Sequence, residues 1–291
     1  MVSCIAVLVC SSEAPALAVT PPVIDTAALV RSAPVAPPEP TEQRTLCAAP
    51  LAAEAYSSAT GAQAMMRLPD AWRFSRGTGQ RVAVIDTGVS PSRRLPRLTA
   101  GGDYVSTGDG LSDCDAHGTL VAGIIAGAPS STDAFAGVAP DASIISIRQS
   151  STAFGAKRSR GSDDPNVGSG YGSVRTLANA VVRAVDLGAT VINISEVACA
   201  GSASALGDDA LGRAVRYAAD RNVVVVAAAG NVGEACGEQN PPAADPSVPG
   251  DDGWDDVLTI ASPAWYDDHV LTVGGVDADG ALVDEDMDYT G

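Results

Sequence analysis

The sequence predicts an α/β protein in which helices cover both faces of a mostly parallel sheet. Two observations carry this prediction. Short apolar runs that suit strands alternate with helical segments between residues 81 and 276. One of these runs, Asn222–Ala229, is apolar at almost every position, which is typical of a strand buried on both faces. Regular alternation of strands and helices favours parallel strands with the helices packed on the sheet.

Each predicted element has its own local signal. Val174–Gly188 repeats apolar residues at helical spacing and ends at a glycine, a residue that suits the position just after a helix. Leu206–Asp220 has the same periodicity, and its acidic residues precede its basic ones, as the helix dipole favours. A third helix, His117–Gly127, is built from small and aliphatic residues. The predicted strands are Arg81–Ile85, Ser143–Arg148, Thr190–Ser195, Asn222–Ala229, Val257–Ala261 and Val270–Val276.

The beginning of the chain differs in composition from the rest. A short apolar run, Val2–Val9, precedes Ala16-Leu17-Ala18, a pattern typical of a signal peptide and too short to span a bilayer. The first basic residue is Arg31, which leaves open a start further upstream or no signal peptide at all. We expect a signal peptide at 1–18, a proline-rich extended arm at 19–67 and the compact domain at 68–291.

Composition limits the classes of ligand. The net charge is −17, whereas a surface that binds nucleic acid needs clustered Lys and Arg, so nucleic acid is excluded as a partner. Aromatic residues make up only 4% of the chain, so the core must consist of Ala, Val, Ile and Leu.

Four cysteines follow the predicted signal peptide: Cys47, Cys114, Cys199 and Cys236. An even number of widely spaced cysteines in an exported chain predicts two disulfides, and the lack of a CxxC pair argues against zinc. Cys199 and Cys236 each follow a predicted strand on its carboxyl side. We therefore expect these two to pair, which leaves Cys47 for Cys114. No metal or other cofactor is predicted.

Two short motifs carry the chemistry. Asp86 closes an apolar strand and precedes Thr87-Gly88, and His117 opens a helix with Gly118 behind it. Asp86 alone could simply form a turn with Gly88. Together, a strand-end carboxylate and a helix-start histidine are the orienter and base of a catalytic triad in the order Asp, His, Ser. The other histidine, His269, is interpreted as a surface residue.

Asn231 follows the buried strand Asn222–Ala229. It could cap a turn, or its side-chain amide could donate a hydrogen bond to a developing oxyanion. Asp86, Ser195 and Asn231 all lie at the carboxyl ends of predicted strands, which is where parallel sheets place their functional sites. With Asp86 and His117 present in the same chain, the sequence favours the oxyanion interpretation.

These motifs resemble known proteins. In order and spacing over residues 68–276, the chain resembles the subtilisin-type serine proteases, or subtilases, in the segments Val84–Gly88, His117–Gly123, Gly137–Ala142, Val191–Ser195 and Ala229–Asn231. More narrowly, it resembles the mycosins, the subtilases of the actinobacterial type VII secretion system, in Asp113–His117, Ile144–Ser151, Asn193–Cys199 and Pro263–Tyr266.

The resemblance implies a three-layer subtilisin-like fold and a role for each site residue. Asp86 would orient His117, His117 would act as general base, and Asn231 would line the oxyanion hole. Ser195 would lie along the substrate channel, and Gly168-Ser169-Gly170 would pair with the backbone of an extended peptide or protein substrate. The resemblance also implies an arm wrapped around the catalytic domain, two disulfides, and a place on the outer face of the cytoplasmic membrane, held by a C-terminal anchor.

Three features depart from the resemblance or leave alternatives open. Ordinary subtilisins carry Ser-Leu-Gly where this chain has Ser195-Glu196-Val197, and Glu196 could either influence the substrate pocket or face solvent. The acidic stretch 251–256 lacks the ordered spacing of a calcium loop, which favours a solvated loop. Lys157-Arg158-Ser159-Arg160 could be a cleavage site, but a flexible exposed loop explains it equally.

The serine nucleophile of the resemblance, in a Gly-Thr-Ser segment, does not occur in these 291 residues. The expectation is a subtilase domain incomplete at its C-terminus and without the family's membrane anchor. Such a chain would be inactive as a protease, since loss of the nucleophile lowers the rate by roughly a million-fold in subtilisin, a relative. The alternative is a non-catalytic role, as a structural component that stabilises a secretion membrane complex.

Overall fold

The computed structural model describes residues 19–26, 33–49, 61–157, 170–233, 236–237, 239–240, 253–277 and 279–281. Its strands are β1 (Thr41–Gln43), β2 (Arg81–Asp86), β3 (Leu98–Asp103), β4 (Ser143–Arg148), β5 (Phe154–Ala156), β6 (Val191–Ile194), β7 (Ala198–Ala200), β8 (Val224–Ala228), β9 (Ile260–Ser262) and β10 (Val270–Val273). Its α-helices are α1 (Gly61–Met65), α2 (Leu68–Ala71), α3 (His117–Ala126), α4 (Val174–Asp186), α5 (Ala203–Leu206) and α6 (Asp209–Ala219). The predicted signal peptide at 1–18 lies outside the described residues.

A parallel sheet of six strands forms the centre of the described structure, in the order β10-β8-β6-β2-β4-β3. Strand β2 lies between β4 and β6, so the chain continues to either side of it. A ligand site in such a sheet is expected where the strand order reverses, beyond the carboxyl ends of the strands. Asp86, the last residue of β2, lies at this position.

Helices cover both faces of the sheet and make three layers. Ala83 and Ile85 of β2 belong to the large apolar cluster that includes α4 and α6. Val82 and Val84 point the opposite way, into a smaller cluster with Ala122 and other residues of α3. This alternation follows from the period of two along a strand. It confirms the predicted α/β class with a mostly parallel sheet flanked by helices.

The N-terminal arm is tied to the domain beside the end of the sheet. Strand β1 pairs antiparallel with β5, and the backbone N–H of Ala48 donates to the carbonyl of Cys114 over 2.7 Å. The disulfide Cys47–Cys114 fixes the arm next to the start of α3. A second disulfide joins Cys199 to Cys236. Both pairs are those expected from the sequence.

Two predicted elements differ in the structure. The segment Val257–Ala261 was expected to extend the parallel sheet, but only Ile260 and Ala261 of it belong to a strand. They belong to β9, which pairs antiparallel with β7 in a separate two-stranded sheet. The helix predicted over Leu206–Asp220 is instead divided, because Gly207 adopts a left-handed conformation that ends α5 before α6 begins.

Three further observations concern a strand that was not predicted, the start of α4 and the length of the helices. Strand β3 has Gly101 and Gly102 among its six residues and gives too little apolar signal to be predicted. The predicted start of α4 is correct, because Ser173 and Thr176 form a reciprocal capping box there. No helix among the described residues combines the length and the hydropathy needed to cross a membrane.

Asp208 is a buried carboxylate that joins α6 to the segment after β9. The indole N–H of Trp265 donates to its Oδ2 over 2.8 Å, and the hydroxyl of Ser262 donates to the same oxygen. Burial raises the pKa of Asp208, and these hydrogen bonds oppose that shift. The side chain therefore serves to satisfy buried donors from another part of the chain.

We expect Asp208→Ala to lower the free energy of unfolding by about 1–3 kcal/mol, because the buried indole N–H of Trp265 loses its acceptor. Urea-induced unfolding followed by tryptophan fluorescence measures the change. Asp209→Ala is the matched control, since Asp209 is the neighbouring residue and its side chain is exposed. An equal loss in both variants would contradict this account of Asp208.

Candidate active site

Asp86 lies at the carboxyl end of β2 and is fully buried. Its Oδ1 accepts the backbone N–H of Thr87 over 2.7 Å and contacts Nδ1 of His117 at 2.7 Å. Its carbonyl accepts the backbone N–H of Gln149, the residue after β4, over 2.8 Å. A carboxylate buried in this way needs such partners, because an isolated buried charge is strongly unfavourable. The orientation of Asp86 is therefore determined on both its backbone and its side chain.

His117 is the first residue of α3, and 54% of its side chain is exposed. With Asp86 accepting from Nδ1–H, the neutral ring carries its free lone pair on Nε2. That nitrogen is on the side of the ring away from Asp86. The pair thus places a fully buried carboxylate against a partly exposed imidazole, and this geometry resembles that of two members of a catalytic triad. The orienting and basic roles of the two residues stay predictions.

The electrostatic surroundings favour the protonated form of His117. The hydrogen bond with Asp86 is the largest cause that raises the pKa of His117, and the charges of Asp86, Glu196 and Asp113 act in the same direction. Partial burial of the ring opposes them. A raised pKa makes the imidazole a stronger base, which is what a group that must accept a proton near neutral pH requires.

The loop before α3 positions the histidine. Asp113 accepts hydrogen bonds from the Thr87 hydroxyl over 2.9 Å and from the backbone N–H of Thr119 over 2.8 Å. The backbone N–H of Gly118 donates to the Thr87 hydroxyl oxygen over 3.0 Å. A carboxylate at a helix N-terminus also interacts favourably with the helix dipole. Thr87 and Asp113 therefore connect the end of β2 to the start of α3.

Gly118 makes the close approach of α3 to β2 possible. A Cβ atom added there would lie 2.2 Å from the carbonyl oxygen of Gly88 and 3.0 Å from Oδ1 of Asp86. No other residue type fits at this position without moving the backbone. The glycine after His117 is therefore required for steric reasons in this chain.

The segment after β4 forms one side of a cleft beside Asp86. Ser151 makes an isolated antiparallel bridge with Tyr171, and the Ser151 hydroxyl donates to Oδ2 of Asp115 over 2.5 Å. Gly170 precedes this bridge with a φ of 135°, and a Cβ there would lie 2.4 Å from the carbonyl oxygen of Ser151. Gly168 and Ser169, the other two residues predicted to pair with substrate, lie outside the described residues.

Ser195 and Asn231 follow neighbouring strands of the sheet. Ser195 comes directly after β6, and its hydroxyl accepts the side-chain amide of Asn193 over 2.9 Å. Asn231 comes three residues after β8, and its side chain is exposed. Since β8 pairs with β6 and β6 with β2, both residues lie at the same edge of the sheet as Asp86. Their catalytic roles stay predictions.

Some residues of the site were not singled out from the sequence. Asp113 and Asp115 appeared there only within a motif of the resemblance, yet Asp113 anchors α3 and Asp115 accepts from Ser151 and Thr152. Ser150 was also unremarked, and its hydroxyl donates to Glu196. The one available signal was the pair of aspartates two and four residues before His117, at a helix start.

Glu196 lies at the wall of the cleft and is partly buried. Of the two alternatives left open by the sequence, the structure supports contact with the cleft over a position facing solvent. Among the described residues, no group of three or more His, Cys, Asp or Glu side chains is placed to hold a metal ion. Asp251 and Asp252 of the acidic stretch lie outside that part of the chain.

Comparison with known proteins identifies the family. The family model described as "Subtilase family" matches residues 77–285. The chain is 54% identical to Mycosin-4 of Mycobacterium tuberculosis over 267 residues, which cover 90% of this chain and 56% of Mycosin-4. The chain thus spans little more than half the length of that relative.

Solved structures agree with this match. One is the structure of the serine protease MycP1, an essential component of the type VII (ESX-1) secretion system. It superposes on this chain with a TM-score of 0.83 at 48% sequence identity. The match covers 92% of this chain and 73% of the MycP1 chain. A chain in the periplasmic assembly from the ESX-5 inner membrane complex gives a TM-score of 0.80 at 44% identity, covering 92% and 70%.

The fold, the Asp86–His117 pair and these matches define the class, and the chain belongs to the subtilase family of serine proteases. Within that family it belongs with the mycosins, as the resemblance of its sequence motifs implied.

The first prediction for the site concerns Gly118. We expect Gly118→Ala to separate α3 from β2 and to break the hydrogen bond between Asp86 and His117, because the added Cβ meets the carbonyl of Gly88. Gly123→Ala is the matched control in the same helix, where a Cβ meets nothing within 4 Å. The control should gain up to about 1 kcal/mol of stability, while Gly118→Ala loses stability. Thermal unfolding of both variants tests this, and similar melting temperatures would contradict the steric account.

The second prediction concerns the protonation of His117. Asp86→Asn should lower the pKa of His117, because the hydrogen bond and the negative charge that raise it are both weakened or removed. Proton NMR titration of the native chain and of the variant measures the difference. In the native chain, the pair adds stability that is complete below the unfolded pKa of about 6.5 and is lost as pH rises through the higher native pKa. An unchanged His117 titration would refute the assignment of Asp86.

Proposed function

We propose that Asp86, His117 and Asn231 supply the orienter, the general base and the oxyanion donor of a serine endopeptidase of the mycosin type. The observation that carries the proposal is the hydrogen bond between fully buried Asp86 and half-exposed His117. It leaves Nε2 as the basic atom and gives it an open approach. A nucleophilic serine is the partner that this arrangement requires.

The chemistry follows from the positions of the protons. Nε2 of His117 accepts the proton of a serine hydroxyl while the serine oxygen attacks the scissile carbonyl carbon. Asp86 stabilises the imidazolium that forms, and the amide of Asn231 donates to the developing oxyanion. His117 then gives its proton to the leaving amine, and water releases the acyl group by the same steps. Ser195 and the segment 168–170 would hold an extended peptide or protein substrate along the cleft.

The nucleophile is outside this set of residues. No Gly-Thr-Ser segment occurs among the 291 residues. We propose that these residues do not hydrolyse peptides by themselves and that 68–291 belongs to a subtilase catalytic domain. The roles of 1–18 as a signal peptide and of 19–67 as a wrapping extension belong to the same proposal.

We also propose that the chain acts outside the cytoplasmic membrane, in association with a type VII secretion complex. The similarity to a chain of the periplasmic ESX-5 assembly supports this place and partner. Two disulfides agree with an oxidising compartment. The same similarity favours the second candidate function, that of a structural component stabilising the membrane complex without catalysis.

A fusion tests the endopeptidase function directly. We expect peptidase activity when this chain is continued, from the end of the matched region, with the remaining part of Mycosin-4. His117→Ala in the fusion should lower kcat by roughly a million-fold and Asp86→Asn by roughly ten-thousand-fold, as in subtilisin. A folded fusion whose activity is insensitive to His117→Ala would refute the assigned roles.

The chain without the fusion is the complementary sample. We expect no stoichiometric labelling by a fluorophosphonate, since that probe reacts with an activated serine. Stoichiometric labelling would show that the chain holds its own nucleophile. If the fusion is folded yet has no activity, the structural role in the secretion complex becomes the better account.

A further inference from the structure

A cavity of about 170 Å³ opens beside the Asp86–His117 pair. It lies between the end of β4, the start of α4 and the segment after β6, and its walls include Thr87, Ser150, Tyr171 and Glu196. The backbone N–H of Ser150 points to the carbonyl of Asp86 at 3.4 Å, so the cavity adjoins the catalytic strand. A cavity of about 150 Å³ admits benzene, so this one has room for a single large side chain.

Glu196 is a carboxylate in the wall of this cavity with unused hydrogen-bonding capacity. The Ser150 hydroxyl donates to its Oε1, and this is the one hydrogen bond that the described structure shows to the side chain. An ionised carboxylate can accept about four hydrogen bonds. Burial raises the pKa of Glu196, so its surroundings leave the negative charge poorly solvated. A hydrogen-bond donor with a positive charge would stabilise the ionised form of Glu196.

Asp115 is a nearby carboxylate with a different environment. It accepts from the hydroxyl of Ser151 and from the backbone N–H and hydroxyl of Thr152. These bonds explain Asp115 as a residue that fixes the loop before α3. Glu196 has no comparable set of donors, so a structural role alone does not account for it.

Within the part of the chain that the structure describes, no other group around the cavity neutralises Glu196. Among the described residues that line it, none is Lys or Arg. The charged and titratable groups that interact with Glu196 are Asp86, Asp115 and His117. Two of these are carboxylates, and His117 is already paired with Asp86. As far as the described residues extend, the cavity therefore combines space for a side chain with a carboxylate that no Lys or Arg in its lining offsets.

We propose that Glu196 is a specificity-determining residue and that this cavity receives the Lys or Arg side chain of an extended peptide. The inference rests on the proposed function, and it specifies the substrate class of the same cleft. An ammonium or guanidinium group would donate to the free oxygen of Glu196 and form a charge-assisted hydrogen bond. An apolar side chain would instead remove water from the carboxylate and give it no partner, which is unfavourable.

Peptide binding to the full 291-residue chain tests this without requiring hydrolysis. The probes are fluorescent eight-residue alanine peptides that carry lysine at one of the eight positions, with norleucine peptides of the same design as neutral matches. Fluorescence anisotropy gives Kd for each. At one position, lysine should bind about tenfold tighter than norleucine. Glu196→Gln should remove that preference, because the lysine peptide loses its charged partner and binds more weakly.

Two controls separate the cavity from general attraction to an acidic chain. Glu42→Gln makes the same chemical change at an exposed side chain of β1 and should preserve the lysine preference. Measurement in about 0.5 M NaCl screens long-range attraction, and the preference at the one position should persist there.

The outcomes distinguish this inference from the proposed function. If peptides bind but lysine is no better than norleucine at any position, or if Glu196→Gln keeps the preference, the role of Glu196 is wrong and the protease proposal stands. If a folded chain binds none of the peptides, the substrate cleft itself is refuted, and the inference falls with it.

Discussion

The burial of the Asp86 charge is the constraint on which the rest of the site depends. A carboxylate without solvent contact requires hydrogen-bond donors, and here Thr87 and His117 both donate to Oδ1 of Asp86. Thr87 also accepts from Gly118 and donates to Asp113, so the end of β2 and the start of α3 form one hydrogen-bonded unit. His117 is therefore held in position by the same contacts that surround the buried Asp86 carboxylate.

The order of the strands in the sheet brings other segments of the chain next to this hydrogen-bonded unit. Because β2 lies between β4 and β6, the segments that leave those two strands flank the end of β2 and line the cleft beside Asp86. Their residues Ser150 and Glu196 meet across it through a hydrogen bond. The disulfide Cys47–Cys114 ties the arm to the loop that precedes His117. The helices packed on both faces support the strand ends, and the end of β2 positions Asp86.

Elements with a signal inside their own sequence could be predicted, whereas the pairing partners of strands could not. The position of α4 was predictable because its apolar residues recur at helical spacing, a signal contained within the helix itself. The strand at 257–261 was assigned to the wrong sheet because an apolar run does not encode its pairing partner, which is β7 in an antiparallel arrangement. Strand β3 was missed because Gly101 and Gly102 remove the apolar signal, and Gly101 packs against Ile147 and the carbonyl of Ser146 in the adjacent β4.

The sequence by itself determined the α/β class, the Asp86–His117 pair, the disulfide partners and the resemblance to mycosins, because these depend on periodicity, residue type and motif spacing. Only the tertiary structure decided that Asp113 anchors the histidine helix and that Glu196 lines the cleft. Both depend on hydrogen bonds between residues far apart in the chain, such as Thr87 with Asp113 and Ser150 with Glu196. Spacing along a sequence does not encode such distances, because strand order sets which loops meet.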